Sequence, residues 1–362
     1  MLALLVALGA SGCGAQFDPQ SQVEGLRVLG VKKSSPYVRP GQAVDLELLW
    51  HDAEPGRPVP QIAWLGICEN PPADLFQACF TQVPDLTEEE LATRISLPDP
   101  ALAVPNDRFR LTASLDLISS RPPPPDPATI PYGLEYVFFA ACAGQLAVAP
   151  GGQFPFVCYA EEDGQAGFSA GDTQLGSRDF VIGYTAVFAY AELANQNPLI
   201  YGFEFDGLTL WPDSPAEVAA AAPPEAVLLP ARDFCIGGSC DADVSEADSA
   251  TCPAELSVDT CVGECDEISF RPLVDPSSAE EDDAASSRSA EVLGEQMWVN
   301  YYAAGGEISE EVRLLNDATL GWNQDYASDY KPKEEAGVSY LWAVAHDSRG
   351  GTEWARVRVC TR

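Results

Sequence analysis

A serine in a glycine-framed pentapeptide is the first candidate for chemistry. Ser169 lies in GFSAG at 167–171, which has the G-x-S-x-G spacing of a serine nucleophile. Such a serine needs a buried strand before it, a helix after it and a histidine base, and His346 is the candidate base. The flanking segments 161–165 and 171–176 predict neither element, because they are acidic, polar and interrupted by glycine. We therefore predict no enzyme activity, with an esterase-like hydrolase using Ser169 as an alternative.

An acidic segment offers oxygen ligands at nearly alternate positions, as a calcium loop requires. Glu246 stands where an EF-hand needs glycine, and Cys252 stands where it needs glutamate. The segment is more similar to the aspartate repeats of thrombospondin type 3 segments, which also end near Cys-Pro, here Cys252-Pro253. A single copy favours an acidic loop pinned by disulfides, so we predict no cofactor, with calcium in a calcium-stabilised adhesin as the alternative. The candidate ligands are Asp241, Asp243, Ser245 and Asp248.

The chain has eleven cysteines, a number that is typical of proteins in an oxidising compartment and unusual in the reduced cytosol. Setting Cys13 aside leaves an even number, which suits disulfides in an oxidising space. Short chain closure favours a bridge from Cys68 to Cys79 and another from Cys142 to Cys158. Pairing of Cys68 with Cys142 stays open if their strands are neighbours. The disulfide candidates are Cys68, Cys79, Cys142, Cys158, Cys235, Cys240, Cys252, Cys261, Cys265 and Cys360.

A zinc site is the competing interpretation of the closely spaced cysteines. The spacings from Cys235 to Cys240 and from Cys261 to Cys265 are not the C-x-x-C of a zinc knuckle. The two histidines, His51 and His346, are far from them in sequence. These observations favour disulfides over zinc.

The first thirteen residues, MLALLVALGASGC, combine an apolar run, small residues and a cysteine. The run at 2–8 fits a signal sequence, since a spanning helix needs about 20 apolar residues. The pattern resembles the lipobox of bacterial lipoproteins, which implies a signal peptide at 1–12, acylation of Cys13, for example by palmitate, and a tether at 13–22. Gly14, in place of the Asp of an inner-membrane retention signal, implies the outer membrane. An ordinary secretory signal is the alternative, and it has the same extracytoplasmic destination.

The charge of the chain limits its partners. Fifty-five acidic residues against 20 basic ones give a formal net charge of −35. Such a charge opposes binding to nucleic acid or to anionic lipid headgroups. The expected partners are the membrane, through the N-terminal lipid, and another envelope protein or a surface polysaccharide.

Strand patterns dominate both halves of the chain. Val44, Leu46, Leu48 and Trp50 recur with a period of two and fall on one face, which predicts a half-buried strand after the turn at Pro40-Gly41. Short helices are predicted near Thr87 and from Ser214, and a stiff, solvated Pro-rich spacer at 121–126. A solvated acidic loop is predicted at 276–290. Further strands are predicted at 62–68, 109–118, 134–142, 180–190, 199–205, 268–274, 295–302, 312–315, 339–346 and 352–360.

The last two predicted strands form the clearest hairpin. A strand with Trp342, a D-x-R-G-G turn at 347–351 and a strand with Trp354 resemble the last hairpin of Ig-like domains in bacterial surface lipoproteins. The opening at 26–30, followed by Pro40-Gly41 and an alternating strand, is similar to an Ig-like first hairpin, and Trp64 stands where such domains place a core tryptophan. The cysteines lack the Cys-Trp-Cys spacing of antibody domains, so the resemblance implies the general sandwich class alone.

The expected architecture is an all-β fold of two Ig-like/fibronectin-III-like β-sandwich domains, with long Pro-rich and Cys-rich loops and one or two short helices. The first domain is expected at 23–191, a linker at 192–198, and the second domain at 199–362 with a Cys-rich insertion at 232–266. The expected function is that of a lipid-anchored envelope protein acting as a structural or binding module for adhesion or scaffolding.

Overall fold

The structure is a computed structural model, which describes residues 19–81, 87, 89, 94–98, 105–149, 154–160, 173–210, 232–235, 257–258, 261–263, 265–289, 291–335 and 337–361. The protein is an all-β fold of two Ig-like sandwiches. Its helical elements include short 3-10 turns at Pro72–Asp74, Phe76–Thr81 and Pro276–Ser278, and one α-helical turn, α1 (Asp283–Ser286). Within the described ranges, no helix is long and apolar enough to cross a bilayer.

The first sandwich is built from strands between residues 26 and 190. These strands are β1 (Leu26–Lys33), β2 (Tyr37–Val38), β3 (Ala43–Asp52), β4 (Gln61–Glu69), β5 (Ile95–Ser96), β6 (Arg108–Thr112), β7 (Tyr132–Cys142), β8 (Gln145–Val148), β9 (Phe156–Tyr159) and β10 (Phe180–Tyr190). Sheet I has the strand order β1-β3-β6, and sheet II has the order β2-β10-β7-β4-β5. β8 and β9 form a separate hairpin.

The second sandwich is built from the later strands. These are β11 (Ile200–Phe205), β12 (Leu208–Leu210), β13 (Arg232–Cys235), β14 (Ser257–Val258), β15 (Ile268–Val274), β16 (Met297–Ala304), β17 (Glu307–Ile308), β18 (Val312–Asp317), β19 (Gly321–Trp322), β20 (Ser328–Lys331), β21 (Gly337–Asp347) and β22 (Thr352–Thr361). Sheet III has the order β13-β22-β21-β16-β18-β19, with β14 also pairing β22. Sheet IV has the order β12-β11-β15-β20-β17.

The two sandwiches share one connectivity. β1, β3 and β6 of sheet I correspond in order to β11, β15 and β20 of sheet IV. In sheet II the short strand β2 runs parallel to the last strand, β10, and in sheet III β13 runs parallel to the last strand, β22. This arrangement of two mainly antiparallel sheets with Greek-key connections is the Ig-like pattern, and Trp64 on β4 is fully buried in the first core. The prediction of two Ig-like sandwiches is confirmed.

The four sheets stack face to face in the order II, I, III, IV. Val44, Leu46 and Leu48 of β3 point into the core between sheets I and II, as the alternation predicts. The opposite face of sheet I supplies Leu29 and Leu49 to a second apolar cluster with sheet III. β1 and the second half of β3 are therefore covered on both faces, while Arg108, Arg110 and Thr112 of β6 stay exposed.

Two sequence predictions are corrected by the structure. The strand predicted at 109–118 ends at Thr112, because residues 115–120 form turns in which Ser120 N donates to Asp116 O. The loop predicted at 276–290 to be solvated contains α1, capped by Asp282, whose side chain accepts a hydrogen bond from Ala285 N. Glu280 of this loop accepts a hydrogen bond from Arg349 of the β21–β22 turn at 2.6 Å.

Disulfides join Cys68 to Cys79, Cys142 to Cys158, and Cys261 to Cys265. The first two are the local pairings that short chain closure favours. Cys240 and Cys252 lie outside the described residues. Cys235 and Cys360 lie in β13 and β22, and their side chains are outside the described part.

Candidate binding cleft between the two sandwiches

Close packing of β1 against sheet III brings the sandwiches together. The ladder between β1 and β3 shifts register between Val28 and Gly30, which turns Leu29 toward Trp342 and Trp354 of sheet III. A Cβ added at Gly30 would lie 3.3 Å from Val344 Cγ1. The glycine therefore leaves room for the side chains of Val344 and Thr352 to pack against β1.

Two lysines at the end of β1 extend this contact. Lys32 Nζ donates to Glu353 Oε1 at 2.8 Å and to Oε2 at 2.7 Å. Lys33 is 3% exposed, and its Nζ donates to Thr185 Oγ1 at 3.3 Å. Burial lowers the pKa of Lys33 to about 8, while the charge of Asp347 acts in the opposite direction. This end of β1 thus places a cation beside the β21–β22 turn.

Asp347 organises that turn from inside. Its Oδ1 accepts hydrogen bonds from the backbone N of Arg349 and of Gly351, both at 2.8 Å. Gly350 has φ of 92°, and a Cβ at Gly351 would lie 2.0 Å from Asp347 Oδ2. Each glycine of the D-x-R-G-G motif therefore has its own role. Gly350 adopts the positive φ, and Gly351 leaves room for the Asp347 carboxylate.

Arg349 projects from this turn into a buried set of acceptors. Its Nε donates to Glu295 Oε1, and its Nη2 donates to Glu280 Oε2 at 2.6 Å and to Asn195 Oδ1 at 2.7 Å. Its guanidinium also lies 5.5 Å from the ring centroid of Tyr37 in the first sandwich. Glu295 is 0% exposed, and burial raises its pKa to about 7 although the hydrogen bond from Arg349 lowers it. One side chain therefore joins the turn, the connecting segment and the loop before β16.

The connecting segment 191–199 is bound on both sides. Asn197 Nδ2 donates to Lys33 O at 2.7 Å, and Asn197 Oδ1 accepts from Thr352 N at 3.0 Å. Asn195 Nδ2 donates to both carboxylate oxygens of Asp347, at 3.3 and 3.4 Å. These amides fix the segment to the first and the second sandwich at once.

A cleft opens beside Arg349 where the sandwiches meet. It consists of a pocket of about 190 Å³ and an adjoining one of about 820 Å³, which share Thr129, Ile130, Tyr132 and Arg288. The smaller pocket is also lined by Tyr37, Phe188, Tyr190, Asp282, Ala284, Ser348 and Arg349. The larger pocket is also lined by Asn70, Ile118, Ser119, Arg121 and the prolines at 71–72, 122–125 and 131, with Ala73. The predicted Pro-rich spacer is thus one wall of this cleft.

Polar contacts hold the cleft's aromatic rings in place. Tyr132 OH donates to Asp74 Oδ2 at 2.5 Å, and Arg121 lies 4.0 Å from the Tyr132 ring centroid. Arg121 Nη1 also pairs with Asp74 Oδ1 at 2.7 Å, and this partner lowers the pKa of Asp74. The Tyr37 and Tyr190 ring centroids are 4.6 Å apart. The rings are therefore fixed before any ligand arrives.

The residues predicted for lipidation, for the serine nucleophile and for calcium lie outside the described residues: Cys13, Ser169, Asp241, Asp243, Ser245 and Asp248. Lipidation, the esterase alternative and the calcium alternative stay predictions. His346 is described, and its Nδ1 lies 3.2 Å from Thr352 Oγ1 at the sandwich interface. Among the described residues, no group of three or more His, Cys, Asp or Glu side chains is placed to hold a metal ion.

The residues that build the junction were not identified from the sequence. The D-x-R-G-G motif was interpreted as a turn, with no buried contacts assigned to Asp347 or Arg349. No local signal marks these contacts, because the partners of Arg349 lie far away along the chain. The cleft residues Arg121 and Arg288 carry no such signal either.

Comparisons with known proteins give little further information. No family model matches the chain, and no curated protein matches it. The D0-D1 domain of Intimin matches 92% of this chain and 96% of its own, at 8% identity and a TM-score of 0.18. Escherichia coli alpha-2-macroglobulin activated by porcine elastase matches 96% of this chain and 22% of its own, at 9% identity and a TM-score of 0.20. These TM-scores are too low for either similarity to carry an argument about function.

Proposed function

We propose that the protein is a structural or adhesion-type module of the bacterial cell envelope, in which two Ig-like sandwiches act as one rigid, non-catalytic unit. The observation that carries this proposal is the packing of β1 and the end of β3 against sheet III on the face opposite to the first core. An interface with an apolar centre and a buried polar border opposes the relative motion that is otherwise expected between neighbouring domains.

Lipid attachment at Cys13 is the second part of the proposal, and the lipobox-like sequence before it is its support. Residues 19–23 offer a consistent continuation. Val23 N donates to Ala303 O at 2.9 Å, and Ala303 N donates to Ser21 O at 2.8 Å. The six residues from Cys13 to Pro19 span at most about 20 Å when extended. An anchored chain would thus hold the sandwiches close to the membrane surface.

The decisive experiment is metabolic labelling with a fatty acid in a bacterial host, followed by membrane fractionation. The natural chain is expected to carry label and to sediment with the outer membrane. Cys13→Ser is expected to lose both the label and the membrane association, because the acylated thiol is gone.

Cys79→Ser is the matched control, since it removes a cysteine that the structure places in a disulfide with Cys68. It is expected to keep the label. A Cys13→Ser protein that still carries fatty acid and stays on the membrane contradicts lipid attachment at this residue.

A further inference from the structure

The charge of the cleft is opposite to that of the molecule as a whole. The chain carries a formal charge of −35, yet three arginines, Arg121, Arg288 and Arg349, line the cleft against a single acidic residue, Asp282. Arg349 and Arg121 are already paired with carboxylates, whereas Arg288 is exposed and lines both pockets. Its Nε donates to Ala284 O at 3.2 Å, and no carboxylate of the described residues forms an ion pair with it. Arg288 is therefore able to bind an external anion.

The rings beside Arg288 suit a ligand with flat apolar faces. Tyr132 and Phe188 are half-buried, with ring centroids 6.0 Å apart. Aromatic rings pack against the C–H faces of sugar rings, and a planar guanidinium binds a carboxylate through two parallel hydrogen bonds. Rings and arginine together fit a sugar that carries a carboxylate.

The lining of the cleft fits an extended acidic peptide less well than it fits a carboxylated sugar. A peptide gains most of its affinity by adding a strand to a free sheet edge. At the cleft, the strand on the edge of sheet II is β2, which has two residues, and loops supply most of the remaining lining. A short strand and rigid prolines offer little backbone to pair with.

The position of the cleft also favours a ligand outside the membrane. The N-terminal segment joins the second sandwich at Ala303, which lies opposite Leu341 in the ladder of β16 and β21. The cleft lies at the other end of this ladder, beside the turn that follows Asp347. Six residues of strand separate these points, or about 20 Å. If Cys13 is the anchor, as the proposed function states, the cleft lies about 20 Å along the strand from the point where the anchored segment joins the fold.

We propose that this cleft binds a carboxylated polysaccharide, in which Arg288 pairs with a uronate carboxylate and Tyr132 and Phe188 contact the sugar rings. The proposal rests on the adhesion role given above and identifies the class of its ligand. Binding is expected to weaken as ionic strength rises, since an exposed ion pair supplies part of the free energy.

The test is isothermal titration of the full-length protein with galacturonate and mannuronate hexamers. At least one hexamer is expected to bind, and its methyl ester and a hexaglutamate peptide are expected to bind at least about tenfold more weakly, a loss of about 1.4 kcal/mol. Arg288→Gln is expected to weaken binding by about tenfold, and Arg288→Lys by less, because lysine keeps the charge and loses the two-bonded geometry.

Arg110→Gln is the matched control, because it removes the same charge from an exposed arginine on β6, paired to Asp45 at 3.6 Å. It is expected to bind within about twofold of the natural protein. Absence of binding by both hexamers, equal binding of hexaglutamate, or an equal effect of Arg110→Gln and Arg288→Gln would each overturn the proposal. Fatty-acid labelling is measured on the same preparation. Labelled protein without hexamer binding therefore refutes the cleft ligand and leaves the lipid anchor standing.

Discussion

Glu135 is a buried carboxyl group in the first sandwich, and burial disfavours its charged form. It lies on β7, is 5% exposed, and its Oε2 has no hydrogen-bond partner among the described residues. Burial raises the pKa of Glu135 to about 8, and the charge of Glu69, opposite it in the ladder, raises it further. The folded protein therefore holds a proton here that the unfolded chain loses near pH 4.5.

This difference predicts that stability falls as pH rises from about 4.5 to about 8 through Glu135, because the folded state binds more protons than the unfolded state in that window. Glu135→Gln keeps the uncharged shape. It is expected to raise the free energy of unfolding at pH 8.5 by about 2 to 4 kcal/mol, and to change it little at pH 4. Denaturant unfolding at both pH values measures the difference.

Glu267→Gln serves as the control, because it makes the same substitution at an exposed position and leaves the buried Glu135 in place. An equal gain for Glu135→Gln at pH 4 and pH 8.5 would show that ionisation of this carboxyl is not the cause.

At the scale of elements, the β21–β22 turn connects the second sandwich to the segment between the sandwiches, through the hydrogen bonds of Arg349. Arg349→Met is expected to cost about 3 to 5 kcal/mol of unfolding free energy, because it leaves Glu295 buried and without its guanidinium partner. Adding Glu295→Gln is expected to recover part of that loss, since the orphaned charge is then removed. Thermal and denaturant unfolding of the two single variants and the double variant give the coupling energy.

Arg313→Met is the comparison within the same sandwich, because Arg313 pairs with Glu310 at 3.8 Å and with Asp325 at 3.2 Å, both exposed carboxylates. Exposed pairs contribute about 0 to 1 kcal/mol, so its loss is expected to stay within that range. Additive effects of Arg349→Met and Glu295→Gln would refute the role given to this pair.

At the scale of the whole molecule, both histidines of the chain lie where the sandwiches meet. The His51 ring centroid is 4.7 Å from that of Trp342, and the His346 ring centroid is 5.4 Å from that of Trp298. Burial lowers the pKa of His51 to about 4, helped by Arg356, and lowers that of His346 to about 4, helped by Lys33. Both imidazoles are therefore neutral in the stacked molecule at neutral pH.

Because the unfolded chain binds these protons below about pH 6.5 and the folded one does so only below about pH 4, the histidines remove stability as pH falls through that window. His51→Phe keeps a ring against Trp342 and cannot be protonated. When the pH is lowered from 7 to 4.5, the unfolding free energy of both proteins is expected to fall. The fall is expected to be about 1 to 3 kcal/mol smaller for His51→Phe than for the natural protein. Between pH 7 and pH 8 the two proteins are expected to show the same slope, and a different slope there would contradict the assignment.

Local pattern determined most of the secondary structure. β10 and β15 match the predicted strands at 180–190 and 268–274 residue for residue, because each combines strand-forming residues with clear flanking turns. Strand 109–118 was overextended, since the apolar residues after Thr112 also suit a packed turn. The Ig-like class was implied by the resemblance of the last hairpin, with its D-x-R-G-G turn, to that of Ig-like domains.

The pairing of surfaces depends on the tertiary structure. From the sequence come an acidic, cysteine-rich, all-β chain, a last hairpin that resembles those of Ig-like domains, and a lipobox-like start. The covering of the second face of β1 and the end of β3 does not follow from the sequence, because alternation predicts one buried face and does not identify what packs on the other. Lys33, Asn195, Glu295 and Arg349 are each more than 50 residues from the next along the chain, and each is ordinary in its local context. Their shared burial, and the cleft beside them, arise from the stacking of the two sandwiches.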